Sequence, residues 1–177
     1  MARNRAVCPH LHLPAQSGSD RVLKAMDRRY TRETYLERVK ALRAAMPHIG
    51  LTTDLIVAFP GETEEDFRQT LRLAEEVRFD SAFTFIFSPR TGTKAAMLPE
   101  RVPEETARER ILRLNALQEG ITREVFSSLA GTRHTALAEG TSRRDGGQLS
   151  GKIGRGISCS FAGPEELTGT LVPVLIT

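Results

Sequence analysis

Apolar residues recur along this chain in two rhythms. Residues 51–59 are almost all apolar or β-branched, a run too short and too rich in Thr, Val and Ile for a helix, and Pro60-Gly61 stops it abruptly. The pattern predicts a strand covered on both faces, followed by a tight turn. Thr63-Glu64-Glu65-Asp66 then reads as a capping box with three acidic residues in the first turn, where they complement the helix dipole. Phe67, Leu71, Ala74 and Val77 follow at helical spacing and predict a helix over Glu64–Val77. Upstream, residues 6–13 read as a short strand. The polar turn 14–20 leads into a short helix packed by Val22, Leu23 and Met26, with Ser19 or Ser17 as its N-cap. Thr31 caps a second helix built on Tyr35, Leu36, Val39, Leu42 and Met46, and Pro47 ends it. Residues 79–87 supply another apolar, aromatic strand, with 88–93 as its loop.

Strand, helix, strand, helix, strand means α/β architecture with parallel pairing and right-handed crossovers. Three parallel strands are few, and such a sheet needs cover on both faces, so the pattern predicts part of a (β/α) barrel. An uncovered first edge would be a liability for pairing with other chains. Pro103 then opens a long helix with Ala107, Ile111, Leu114, Ile121 and Val125 on one stripe, closed at Ala130-Gly131. From there the rhythm shortens to apolar runs at 132–139, 148–153, 156–161 and 167–176, divided by Gly, Ser and Asp. These predict a small antiparallel β-barrel with turns at 143–147 and 162–164. The expected division is 1–130 and 131–177.

Composition changes the picture little. The 177 residues include 40% hydrophobic residues, enough for one ordinary domain or one with a small appendage. No run of about 18 apolar residues exists and no signal-peptide core opens the chain, which predicts a soluble, cytoplasmic protein with no membrane partner. Charge is uneven: residues 1–50 carry ten basic and four acidic residues, a net +6, whereas 51–130 net −4 and 131–177 net +1. The basic end suits either an anionic partner or a solvated helix surface. Cys8, His10 and His12 alternate, so on a regular strand all three side chains share a face. Two imidazoles and a thiol on one strand are poorly placed to surround a tetrahedral ion, and no metal site is expected. The turn 14–20, with exposed N–H groups and hydroxyls beside a strand end, suits either a polar small molecule or an ordinary strand-to-helix connection.

Residues 13–20 (LPAQSGSD), 51–66, 79–85, 88–93 (SPRTGT) and 148–151 together resemble the radical S-adenosylmethionine (SAM) methylthiotransferases. The run 21–31 resembles the branch that acts on tRNA more than the branch that acts on a ribosomal protein. In that family a cluster-binding N-terminal domain precedes a radical SAM barrel, and a small TRAM barrel follows. The resemblance implies that residues 1–130 are the C-terminal part of the barrel and 131–177 the TRAM-like barrel. It implies S-adenosylmethionine and 4Fe-4S clusters as cofactors, tRNA as partner, and methylthiolation of isopentenyl-type adenosine beside the anticodon. A threonylcarbamoyladenosine tRNA or a ribosomal protein is the alternative substrate, and an RNA- or partner-binding module without catalysis the alternative function.

At residue level the resemblance implies cofactor contacts from Gln16, Ser17, Ser19, Asp54, Glu62, Ser88 and Arg90 at strand ends. Arg28, Arg29, Arg143 and Arg144 are candidates for RNA phosphates, or for solvated surface. Two positions depart from the family's pattern: Ala58 stands where Gly is usual, and residues 151–161 lack the usual Arg-Thr and Asn-Arg pairs. The chemistry of the family also needs three cysteines in a C-x-x-x-C-x-x-C loop to bind the cluster. With only Cys8 and Cys159, the chain is expected to rely on the missing N-terminal part of the same enzyme and not to cleave S-adenosylmethionine alone.

Overall fold

Three short parallel strands, β1 (His10–His12), β2 (Gly50–Val57) and β3 (Ser81–Ile86), form the first sheet in the order β1-β2-β3. The computed structural model in which they are seen describes residues 1–4, 6–143 and 146–177. The crossover from β1 to β2 carries α1 (Asp20–Ala25) and α2 (Arg32–Ala45), and that from β2 to β3 carries α3 (Glu64–Val77). The long helix α4 (Glu104–Ser127) then packs on β3 and α3. Local chemistry explains the helix starts: the Ser19, Thr31 and Thr63 hydroxyls accept the N–H groups of Val22, Thr34 and Asp66. At α3 the Asp66 carboxylate also accepts the Thr63 N–H, which completes the expected capping box.

Strand β1 is shorter than the sequence predicts because a strand needs a partner. His10 pairs with Gly50, the first residue of β2, and residues 6–9 therefore have no β2 residue opposite them. Cys8 lies outside the strand and is exposed, while the hydroxyl of Thr52 lies 3.3 Å from Nε2 of His10 and 3.0 Å from Nδ1 of His12.

The sheet buries one face. Leu51, Leu55 and Val57 of β2 are closed off against a core that includes Phe67, Leu73, Ala74, Val77 and Leu114. The other face was expected to be buried as well and is not: Thr52, Asp54 and Ile56 are half-buried, and Phe83 and Phe85 of β3 are 59% and 50% exposed. The β2 run is apolar enough for two-sided cover, but the described residues leave its second face only part-covered.

The remaining strands, β4 (Arg133–Thr141), β5 (Leu149–Ile153), β6 (Ser158–Phe161) and β7 (Leu171–Leu175), form a separate antiparallel sheet in the order β6-β5-β4-β7. It is an open sheet with β6 and β7 at its edges, where the short apolar runs predict a closed barrel. Ala136, Ile153 and Val172 make its own small core, joined by Leu129 from the end of the α4 connection. A bulge at Ala138/Gly140 bends β4, and Gly140 takes a φ of 140° there.

Candidate functional site

The C-terminal ends of the three parallel strands meet at one rim, and the loops that follow them carry most of the predicted site residues. After β1 the chain is pinned by its carbonyls. Tyr35 donates to the Leu13 oxygen (2.7 Å) and Tyr30 to that of Ala15 (3.1 Å), while Thr53 accepts the Ala15 N–H (2.9 Å). Gln16 then adopts a φ of 64°, unusual for a residue with a side chain. Its backbone is held from both sides, the N–H donating to Asp54 O and the carbonyl accepting from Ile56 N–H, each at 2.8 Å. Gly18 has no alternative here, because a Cβ would stand 2.3 Å from the Gln69 carbonyl oxygen of α3.

After β2 the turn is built around Glu62. Its Oε1 accepts the Ala58 N–H and a guanidinium N–H of Arg110, each at 2.8 Å, and the Glu62 N–H closes a β-turn on the Phe59 oxygen. Gly61 takes the left-handed position that follows Pro60. The Glu62 and Arg110 side chains are 1% and 5% exposed, and Glu62 Oε2 and Arg110 Nε have no hydrogen-bond partner. Burial pushes the Glu62 carboxyl above its usual range, and the Ala58 N–H and Arg110 offset only part of this.

Ala58 itself sits at a φ of 60°. A left-handed alanine is strained and a glycine is not, so Ala58→Gly is expected to raise stability by about 1 kcal/mol, or roughly 2–4 °C in Tm. Thermal unfolding showing an equal or lower Tm for the variant would contradict this account of the turn.

A cavity of about 510 Å³ opens on the rim, lined by Gln16, Asp54, Ser88 and Arg90 together with Ile56 and Phe85. Arg28, expected at an RNA surface, lines it too, so two guanidinium groups and one carboxylate share the cavity wall. Thr93 steadies the loop by donating to the Arg90 carbonyl (2.8 Å). His12 Nε2 stands 3.4 Å from Asp54 Oδ1 on the same face of the sheet.

Ser17, Ser19 and Glu62 lie behind the cavity and not on its wall. Ser17 Oγ is 3.3 Å from Thr70 Oγ1, and Ser19 donates to Asp66 Oδ1 at 2.6 Å. Arg29 is exposed and is not among the residues lining the cavity. Arg143 borders a polar groove on the antiparallel sheet beside Ser150, Lys152, Ser158 and Ser160, and Arg144 lies outside the described residues. Ile56 and Phe85 were not singled out in the sequence, although alternation along β2 puts Ile56 on the same face as Asp54, and the β2–β3 register then pairs it with Phe85. Among the described residues no three His, Cys, Asp or Glu side chains cluster as metal ligands.

Residues 2–74 match the Radical SAM superfamily. Over all of its length the chain is 51% identical to the tRNA-2-methylthio-N(6)-dimethylallyladenosine synthase of Carboxydothermus hydrogenoformans, of which it covers 40%. The proteins of the same name from Pelobacter propionicus and Geobacter sulfurreducens are 52% and 51% identical over 171 residues, which is 97% of this chain and 39% and 38% of theirs. The chain thus spans well under half the length of these relatives. Over nearly its whole length this chain is similar to these methylthio-adenosine synthases, and within it residues 2–74 carry the match to the Radical SAM superfamily.

Proposed function

We propose that the chain serves a tRNA methylthiotransferase that acts on N6-isopentenyladenosine beside the anticodon, and that its part is to hold S-adenosylmethionine at the rim and to contact the RNA. In this reading the parallel sheet is the C-terminal part of a radical SAM barrel, and the antiparallel sheet is the TRAM barrel in open form. The protein works in the cytoplasm, where its substrate is; among the described residues no helix is long and apolar enough to cross a membrane.

The observation that carries the reading is the set of groups around the rim cavity. An amino-acid ligand presents an ammonium and a carboxylate, and Asp54 and Arg90 offer the opposite charges. Gln16 and Ser88 suit ribose hydroxyls, while Ile56 and Phe85 suit an apolar base. The donor set therefore fits the cofactor. Ser17, Ser19 and Glu62 act behind this wall by fixing the two loops. S-adenosylmethionine supplies the adenosyl and methyl groups that such chemistry consumes, and the residues named here bind and orient it. The three-cysteine set of a 4Fe-4S cluster is not matched by Cys8 and Cys159, so no step is assigned to the cluster, and the chain by itself is proposed to be inactive.

A second reading, an RNA-binding module, is favoured by the polar groove with Arg143 and Lys152 and by the basic residues at 28 and 29. Calorimetric titration of the purified chain with S-adenosylmethionine, and then with tRNA at two salt concentrations, separates the two. Asp54→Asn and Arg90→Ala are each expected to weaken cofactor binding about tenfold, as loss of a charge-assisted hydrogen bond does. Equal affinities would remove the cofactor assignment. Salt-dependent tRNA binding without cofactor binding would leave the module alone.

A further inference from the structure

The turn between β5 and β6 reaches across to the parallel sheet and touches the N-terminal ends of all three of its strands. Arg155 places a two-pronged ion pair on Asp80, Nε to Oδ2 at 3.1 Å and Nη2 to Oδ1 at 2.8 Å, with the side chains 17% and 5% exposed. Asp80, directly before β3, is itself fixed by its N–H to the Leu51 carbonyl (2.8 Å) and by its carbonyl to the Thr122 hydroxyl of α4 (2.9 Å). The Arg155 carbonyl abuts Gly50 at the start of β2, where a Cβ would stand 2.6 Å from it. On either side, a Cβ at Gly154 would meet Pro9 at 3.3 Å, and one at Gly156, whose φ is 79°, would meet the His10 ring at 3.0 Å.

Contacts at the ends of three neighbouring strands restrain how one sheet is oriented against the other. They also lie at the opposite end of the strands from the rim. We propose that Arg155 is a positioning residue: its turn keys the antiparallel sheet to the base of the parallel sheet, so that RNA held by the groove of Arg143 and Lys152 meets the cofactor rim in one fixed geometry. This rests on the reading that the chain binds RNA through that groove. The ion pair gives the seam a direction: Arg155 and Asp80 face each other across it, and the charge of the nearby Arg43 interacts with both. A bidentate guanidinium fixes direction as well as distance, which a lysine cannot do.

Residual dipolar couplings test the key in the whole chain. In the wild type both sheets share one alignment tensor. In Arg155→Ala the two tensors are expected to differ about twofold in magnitude, since weakly joined domains move independently by default. Gly156→Val, which leaves the charges alone and wedges against His10, is expected to do the same. Arg155→Lys is expected not to restore a single tensor. In each variant the amide shifts of the two sheets away from the seam should be unchanged, which shows that both still fold. A spin-labelled anticodon stem-loop, bound to Arg155→Ala with wild-type affinity, should broaden the Gln16 and Ser88 amides about half as much as in the wild type. One shared tensor in Arg155→Ala and Gly156→Val, or undiminished broadening, overturns the proposal. If the wild-type chain binds no stem-loop, the RNA reading fails and takes the presentation role with it, while the tensors still decide whether Arg155 joins the sheets.

Discussion

Arg110→Met is expected to destabilise the protein by about 3–5 kcal/mol, because it strands the Glu62 carboxylate in a dry site. Glu62 is buried, one of its oxygens already lacks a partner, and among the described residues Arg110 supplies the cationic hydrogen bond to the other. The methionine keeps the bulk over Phe67, against which the guanidinium packs at 5.6 Å, so the loss reads the charge and not a cavity. The pH dependence has a definite sign. With its folded pKa raised by burial, Glu62 binds more protons in the folded state, so its effect on stability worsens as pH rises above the ordinary carboxylate range. Without Arg110 the pKa rises further and the window widens, so the variant is expected to be less stable at about pH 8 than at about pH 5. Adding Glu62→Gln should recover most of the loss, since an amide oxygen still accepts the Ala58 N–H. Urea unfolding of the single and double variants at both pH values checks this, and a single variant within about 1 kcal/mol of wild type would show that Glu62 is not stranded.

Asp66→Ala is the second large effect, expected at about 3 kcal/mol, the sum of a lost helix cap and lost charge-assisted hydrogen bonds. This carboxylate is where three segments converge. It accepts the Thr63 N–H (2.8 Å) at the start of α3, the Ser19 hydroxyl (2.6 Å) at the start of α1, and the Arg21 guanidinium. Burial alone would raise its pKa, but the hydrogen bonds from Arg21, Ser19 and Thr63 outweigh it and hold the carboxyl well below the usual range. A depressed pKa stabilises the fold at pH values above the unfolded carboxylate pKa, and that contribution fades as pH falls below it. The wild type should therefore lose stability on acidification, and Asp66→Ala should lose less. Because Ser19 ends the loop that carries Gln16, the variant should also weaken any rim ligand. Parallel acid-titration slopes for the two proteins would contradict this role.

The helices were legible because their signals are local. Thr63 and Asp66 are three residues apart, and the α3 boundaries follow from that pair and the stripe behind it. Strand ends were less so, since the start of β1 is decided by where β2 begins, some forty residues on. The open antiparallel sheet was read as a barrel for the same reason: whether β6 and β7 close is a property of edges, not of alternation. At the site, the family resemblance brought out Gln16, Asp54, Ser88 and Arg90, which one cavity gathers. It could not separate them from Ser17, Ser19 and Glu62, because a polar residue in a motif loop looks the same facing outward or inward. What turns these three inward is Thr70, Asp66 and Arg110, each about fifty residues away in sequence and visible only in the fold. The Arg155–Asp80 pair spans a still longer interval.

The strained backbone at Gln16 bears on how a ligand would be received. A left-handed glutamine persists only where its surroundings over-determine it, and the two hydrogen bonds to β2 do so before anything binds. That wall of the cavity is ready-made, so little conformational entropy is lost in ordering it on association. The cost of the strain falls on folding, and discrimination among ligands is left to the exposed side chains that share the cavity wall, chiefly Arg28 and Arg90.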